Sequence, residues 1–236
     1  MKNVIIGIVC KHGIINKKRT SLVIRDEIKN ALFDNGANVI AIVPPSKEIR
    51  LFGPDVNELE ERVKIDNLFN EKEQQLLISQ IKMCDGIVLQ GGGLSDSFEV
   101  WIAAYCHKYD IPILGICAGQ NNMVRALGGT TKLANNYKFH SQPNKKYVHK
   151  ILIDKNSFFY QIVKKDVLHV NSRHKSTIDV CNNLNIASFD EDKNIEVVED
   201  SSKRFFVGVR FHPESLYQED ESCNQIFKFF INICKK

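Results

Sequence analysis

Short apolar runs bounded by glycine, proline or asparagine alternate along this chain with longer stretches of helical periodicity, and few architectures tolerate that alternation. Residues 3–10 read as a first strand. Residues 21–35 read as a helix with Leu22, Ile24, Ile28, Ala31 and Leu32 along one stripe, ending at Asn35-Gly36, and residues 38–43 as a second strand closed by Pro44-Pro45. A polar, loop-like segment follows to about residue 70. Residues 71–83 are predicted helical, 86–90 a third strand running into Gly91-Gly92-Gly93, 95–109 a helix and 112–116 another strand. Strands separated by helices of this length point to a parallel, doubly wound sheet.

From about residue 132 the pattern changes to short strand-like pieces at 146–153, 166–171, 194–199 and 205–211. A closing helix over 219–234 then carries Ile226, Phe229, Phe230 and Ile233 on one face. No glycine-, serine- or proline-rich linker divides the halves. The expectation is one domain over residues 1–236, an α/β fold with a doubly wound, mostly parallel sheet flanked by helices and a β-rich later half.

Composition removes several function classes. With 43% hydrophobic and 25% charged residues the chain is globular, and it has no apolar run of about 18 residues that would span a bilayer. No membrane partner is expected. The net charge of +4 is spread thinly. The clusters Lys17-Lys18-Arg19 and Lys145-Lys146 are too short to track a phosphate backbone, so no nucleic-acid partner is expected either. Seven cysteines is an odd number with no C-x-x-C, which argues against a disulfide framework or zinc ribbon and for free thiols in a reducing compartment. The apolar core of the first residues is too short for a secretory signal and lacks a cleavage site, which makes the cytoplasm the expected location.

The chemistry concentrates around Cys117. A buried strand runs directly into it, a helix follows, and Gly115 and Gly119 flank it at i−2 and i+2. Small neighbours at those positions permit the tight, strained turn that lifts a nucleophile into a crevice, and a helix N-terminus favours thiolate over thiol. A packed core cysteine at a strand end is the plain alternative. The other six cysteines read as packing residues or are uninformative. His212 ends an apolar strand and is followed at i+2 by Glu214. In extended chain the two side chains share a side, so Glu214 can hold one ring nitrogen and leave the other for a thiol. Gly91-Gly92-Gly93 lacks the Lys-Ser/Thr of a P-loop, but a glycine turn at the carboxyl end of a strand can aim an amide at a developing oxyanion. Val170-Asn171-Ser172-Arg173-His174 ends a strand in groups able to hydrogen-bond a polar substrate.

In this order the motifs resemble the class I glutamine amidotransferase superfamily, whose fold is flavodoxin-like. G-I-C-A-G at 115–119 matches its G-I-C-x-G nucleophile motif, and G-V-R-F-H-P-E at 208–214 its G-V-Q-W-H-P-E motif. Within it, the chain is similar to the peptidase C26 branch, the γ-glutamyl-γ-aminobutyrate hydrolases, through Gln90-Gly-Gly-Gly, Asp96-Ser-Phe-Glu99, Ala126-Leu-Gly-Gly-Thr130 and Asn171-Ser-Arg-His174. The resemblance implies a catalytic triad of Cys117, His212 and Glu214, with backbone amides of Gly92 and Ala118 as oxyanion hole. It further implies a γ-glutamyl thioester intermediate and no metal or organic cofactor. Gly91, Asn121, Asn171, Ser172, Arg173 and His174 make up the expected substrate-binding set.

The chain departs from the family pattern at three places. Asn121 stands where the family has glutamine. Leu94-Ser95 replaces the Asp-Val-x-Pro-x-x-Tyr stretch and the loop after it, and His174-Lys175-Ser176 replaces His-His-Gln. Three functions compete: a stand-alone hydrolase of a small γ-glutamyl compound, a glutaminase subunit passing ammonia to a synthase partner, and a non-catalytic binding protein of the same fold. The first is expected; a homodimer stays open.

Overall fold

The computed structural model of the protein describes residues 3–15, 19–46, 51–52, 68–92 and 95–235. Lys17, Lys18, Gly93, Leu94 and most of the polar segment before residue 68 lie outside the described residues. The chain runs β1 (Val4–Val9), β2 (Lys11–Ile15), β3 (Arg19–Val23), α1 (Asp26–Asp34), β4 (Ala37–Ile42), β5 (Leu51–Phe52), α2 (Glu71–Ile81), β6 (Gly86–Leu89), β7 (Ser95–Asp96), α3 (Ser97–Lys108), β8 (Ile113–Ile116) and α4 (Ala118–Ala126). It continues through β9 (Thr130–Leu133), α5 (Tyr137–His140), β10 (His149–Ile153), α6 (Phe158–Val163), β11 (Val167–Val170), β12 (Ser176–Val180), β13 (Asn185–Asp190), β14 (Ile195–Glu199) and β15 (Phe206–Val209), then a 3-10 turn (Pro213–Ser215) and α7 (Glu221–Cys234).

Nine strands form one sheet in the order β11-β10-β13-β14-β15-β8-β6-β1-β4. The five from β4 to β15 pair in parallel; the four beyond β15 pair antiparallel. Side chains alternate across the parallel block, as the period of two demands. Ile6, Ile8, Val88, Leu114, Ile116 and Val209 pack with α1, α6 and α7 on one face. Val9, Ile87, Leu89, Ile113 and Phe206 pack with α2, α3 and α4 on the other. Both faces are covered, which is why the parallel strands read as unbroken apolar runs. No helix among the described residues is long and apolar enough to cross a membrane.

One expectation fails at the chain's start. The helix predicted from residue 21 begins at Asp26, and residues 19–23 are instead β3, paired antiparallel with β2. Leu22, placed on the helical stripe by its spacing, pairs with His12 and is exposed. A short apolar run carries no length cue, so periodicity alone does not separate strand from helix there. The short β9, β12 and β13 and the helices α5 and α6 lay in the segments that showed no clear period. By contrast α2 starts where read, because Asn70 and Glu73 form a reciprocal capping box.

Candidate active site

The parallel strands β6, β8 and β15 lie side by side and end on one edge of the sheet, where ligands gather in folds of this kind. β8 delivers Cys117, whose amide still donates to the Val209 carbonyl at 2.8 Å. Cys117 adopts φ 53° and ψ −106° and α4 begins at the next residue, so the side chain stands on a strained turn. The flanking glycines are required by contact. A Cβ on Gly119 would run into the Leu89 carbonyl oxygen, and one on Gly115 into the Met123 sulfur.

β15 delivers His212, and Asn171, just past the end of β11, fixes it. Asn171 Oδ1 accepts from the His212 amide at 2.7 Å, and its Nδ2 donates to the His212 carbonyl at 2.8 Å. His212 Nδ1 lies 2.7 Å from Glu214 Oε1. The carboxylate reaches the ring through the 3-10 turn beginning at Pro213, rather than along an extended chain as the i+2 spacing suggested. The ring sits beside Cys117 and its charge acts on the thiol. Gly91 packs behind both; a Cβ there would come within 2.9 Å of His212 Cε1 and 3.2 Å of Cys117 Cβ.

Burial is the largest influence on the Cys117 thiol and pushes it up. His212 and Arg210, chiefly through their charges, outweigh it and bring the thiol from 9.0 down to about 7. Burial likewise pulls His212 down, but Glu214 and the Cys117 thiolate together carry it up to about 10. Each charge therefore favours the other, and the pair is shifted towards thiolate and imidazolium. The other thiols go the opposite way through burial. Cys10 and Cys181 rise to about 11, Cys84 and Cys234 to about 12, and Cys106 and Cys223 rise further.

A cavity of about 310 Å³ opens beside the thiol, at the lower end for small-molecule sites. Of the expected residues, Gly92, Cys117, Ala118, Asn121, Arg173, His174 and His212 line it. Gly92 has φ +155°, a conformation open to glycine. Gly91, Asn171 and Ser172, expected to bind substrate, do not line it. Gly91 is behind the Cys–His pair, the Asn171 amide is used on the His212 backbone, and Ser172 is fully buried. His174 faces the cavity at its rim but turns its ring toward Glu196 and His140.

Three cationic wall residues were not singled out from sequence: Arg25, Lys175 and Arg210. Arg210 is 2% exposed and donates to the Cys117 carbonyl at 3.0 Å, to Asn121 Oδ1 at 2.7 Å and to Ser176 Oγ at 2.8 Å. Its signal was present, since a guanidinium inside an apolar strand must meet acceptors. Arg25 sends Nε to the Gly91 carbonyl at 3.3 Å, and nothing in its local pattern marks it.

The sequence profile of the peptidase C26 family matches residues 94–214. The glutamine-hydrolysing GMP synthase subunit of Picrophilus torridus is 30% identical over 157 residues, covering 64% of this chain and 78% of that protein. The glutamine-hydrolysing GMP synthase of Francisella tularensis subsp. novicida is 32% identical over 151 residues, 63% of this chain but only 28% of that longer protein. Among solved structures, the putative GMP synthase subunit of Thermoplasma acidophilum superposes with a TM-score of 0.62 at 16% identity, covering 100% of this chain and 96% of that one. The glutaminase domain of Trypanosoma brucei CTPS with bound acivicin does so with 0.67 at 15%, covering 99% and 94%. These two likenesses carry the fold, and the profile and the sequence relatives carry the family. The chain belongs to the peptidase C26 family of the class I glutamine amidotransferases.

Proposed function

We propose that the protein is a cysteine-dependent hydrolase of the γ-glutamyl amide bond, with Cys117 as nucleophile, His212 as acid and base, and Glu214 holding His212. The observation that carries this reading is Cys117 on a strained strand-to-helix turn beside an imidazole that is itself bonded to a carboxylate. The thiolate adds to the amide carbon, and the carbonyl oxygen takes the negative charge against the backbone amides of Gly92 and Ala118. The C–N bond breaks as the imidazolium gives its proton to the departing amine, leaving a γ-glutamyl thioester. Water gives a proton to the now neutral imidazole and adds to the thioester. The C–S bond then breaks, releasing glutamate and the thiolate.

The wall supports a substrate that is anionic at more than one point. Arg25, Arg173, Lys175 and Arg210 line the cavity, and no carboxylate does among the described residues. One cation can take the glutamyl α-carboxylate; the surplus suits an acid on the amine half, as in γ-glutamyl-γ-aminobutyrate. A glutaminase subunit serving a synthase is the second reading, favoured by the names of the sequence relatives. The test is glutamate release by wild type and Cys117→Ala from γ-glutamyl-γ-aminobutyrate, an uncharged γ-glutamyl amine and free glutamine. We expect preference for the first compound and a loss of about 10³-fold or more in the variant. Turnover of glutamine alone, rising when a synthase is added, would move the assignment to the second reading. No glutamate from any compound would leave a binding protein.

A further inference from the structure

Behind the cavity wall, the antiparallel part of the sheet buries a cluster that the proposed reaction does not use. His140 ends α5, His149 opens β10, Asp190 ends β13 and Glu196 lies in β14. Their side chains are 1%, 2%, 0% and 0% exposed. One ligand atom from each lies within 4.8 Å of all the others. His140 Nε2 is 3.3 Å from Asp190 Oδ2, and His149 Nε2 is 3.5 Å from Glu196 Oε1. A tetrahedral zinc ion with bonds of roughly 2.0–2.2 Å sets its ligand atoms about 3.3–3.5 Å apart.

Several polar atoms of these side chains make no well-formed hydrogen bond, although His149 and His174 face Glu196 at 3.5 and 3.3 Å. His140 Nδ1, both nitrogens of His149, and both carboxylate oxygens of Glu196 are buried without a hydrogen bond. Unsatisfied buried groups are rare because each forfeits its hydration, and one ion could take a ring nitrogen of His149 together with the Glu196 carboxylate. A metal-bound imidazole is neutral, so with both histidines as ligands the two carboxylates would carry −2, which a divalent cation balances. Around them sits a supporting layer. Asn194 donates to both oxygens of Asp190, from its amide at 2.7 Å and Nδ2 at 2.8 Å, and its Nδ2 also lies 3.2 Å from His140 Nε2. Asp192, half-exposed, is 3.3 Å from that same nitrogen. His174 stacks on His140 with centroids 5.1 Å apart and points Nε2 at Glu196 Oε1 from 3.3 Å. Oriented outer groups of this kind accompany metal ligands.

We infer that His140, His149, Asp190 and Glu196 form a buried structural site for a divalent transition metal of the zinc type. Mixed imidazole and carboxylate donors favour Zn²⁺, with Co²⁺ as a spectroscopic substitute, over Mg²⁺ or Ca²⁺, which prefer oxygen alone. No Cys-x-x-Cys or His-x-His spacing announces it, because the ligands come from four elements that meet only in the fold. The proposed site does not depend on what reaction Cys117 performs. The site would clamp β10, β13 and β14 to α5 and fix His174, a wall residue of the cavity.

The test uses the full chain carrying Cys117→Ala, to remove the reactive thiol as a competing ligand, stripped with a chelator and titrated with Zn²⁺ or Co²⁺. We expect about one metal per chain and a Tm rise of roughly 5–10 °C at saturation. We also expect a visible Co²⁺ spectrum without the near-ultraviolet band of thiolate ligation. Glu196→Gln and His149→Asn in that background should each abolish the Tm response to metal. Failure of the stripped parent to bind either metal, or a Co²⁺ spectrum dominated by thiolate, would overturn the inference. So would a folded Glu196→Gln that responds like its parent. If both ligand variants misfold, the stoichiometry, Tm shift and Co²⁺ spectrum of the parent decide alone.

Discussion

A thiol becomes a useful nucleophile only where something stabilises its anion more than burial penalises it. At Cys117 two cations do so, His212 and Arg210, and of the two only His212 carries a proton it can give up during a reaction. The alkylation rate of Cys117 by iodoacetamide should therefore rise with a midpoint near pH 7 rather than 9.0. In Arg210→Gln, which restores the residue of the family motif, the midpoint should move up by roughly 0.5–1 unit through loss of one cation. An unchanged midpoint in the variant would show that the guanidinium serves only its hydrogen bonds to Asn121 and Ser176. Cys117 and His212 were legible in the sequence because each sits at an abrupt end of an apolar run. The roles of Asn171 and Arg210 were not, since both act on residues about 40 and 90 positions away in the chain.

Elements were legible in proportion to how much of their information is local. The helix α7, read over 219–234, runs Glu221–Cys234 and buries Ile226 and Phe230 of its expected face, with Phe229 and Ile233 partly buried; Asp220 caps it by accepting from the Ser222 and Cys223 amides. The β2–β3 hairpin did not show itself, because its pairing with β2 is absent from any single window. The turn from β8 into α4 is the most sequence-determined element of all, being set by two glycines with no room for a side chain. Gly119→Ala should cost about 1–3 kcal/mol through overlap with Leu89, lowering Tm by roughly 2–10 °C, and it should slow Cys117 alkylation as the turn shifts. A Tm and alkylation rate equal to wild type would mean the elbow has more freedom than its contacts indicate.

At the scale of the molecule, the sheet is continuous from the parallel block into the antiparallel one, through β15 paired on one side with β8 and on the other with β14. We expect the chain to unfold as one unit. Trp101, buried on α3 and stacked on Tyr105, reports the earlier half, while far-ultraviolet circular dichroism reports every element. Their urea transitions should share a midpoint, and two separated midpoints would divide the chain. The parallel order was legible in the alternation of runs. The place of β15 was not, because pairing between Val209 and Ile116 leaves no trace in either strand's own residues. That placement also has a consequence in time. Cys117 precedes His212 by 95 residues, which a ribosome takes roughly 5–20 s to add. Throughout that interval the thiol has neither its imidazole nor its guanidinium, and it keeps the acidity of an ordinary cysteine. On the proposed reading, activation of Cys117 waits for one of the last strands made, so a stalled chain would carry an ordinary thiol in its place.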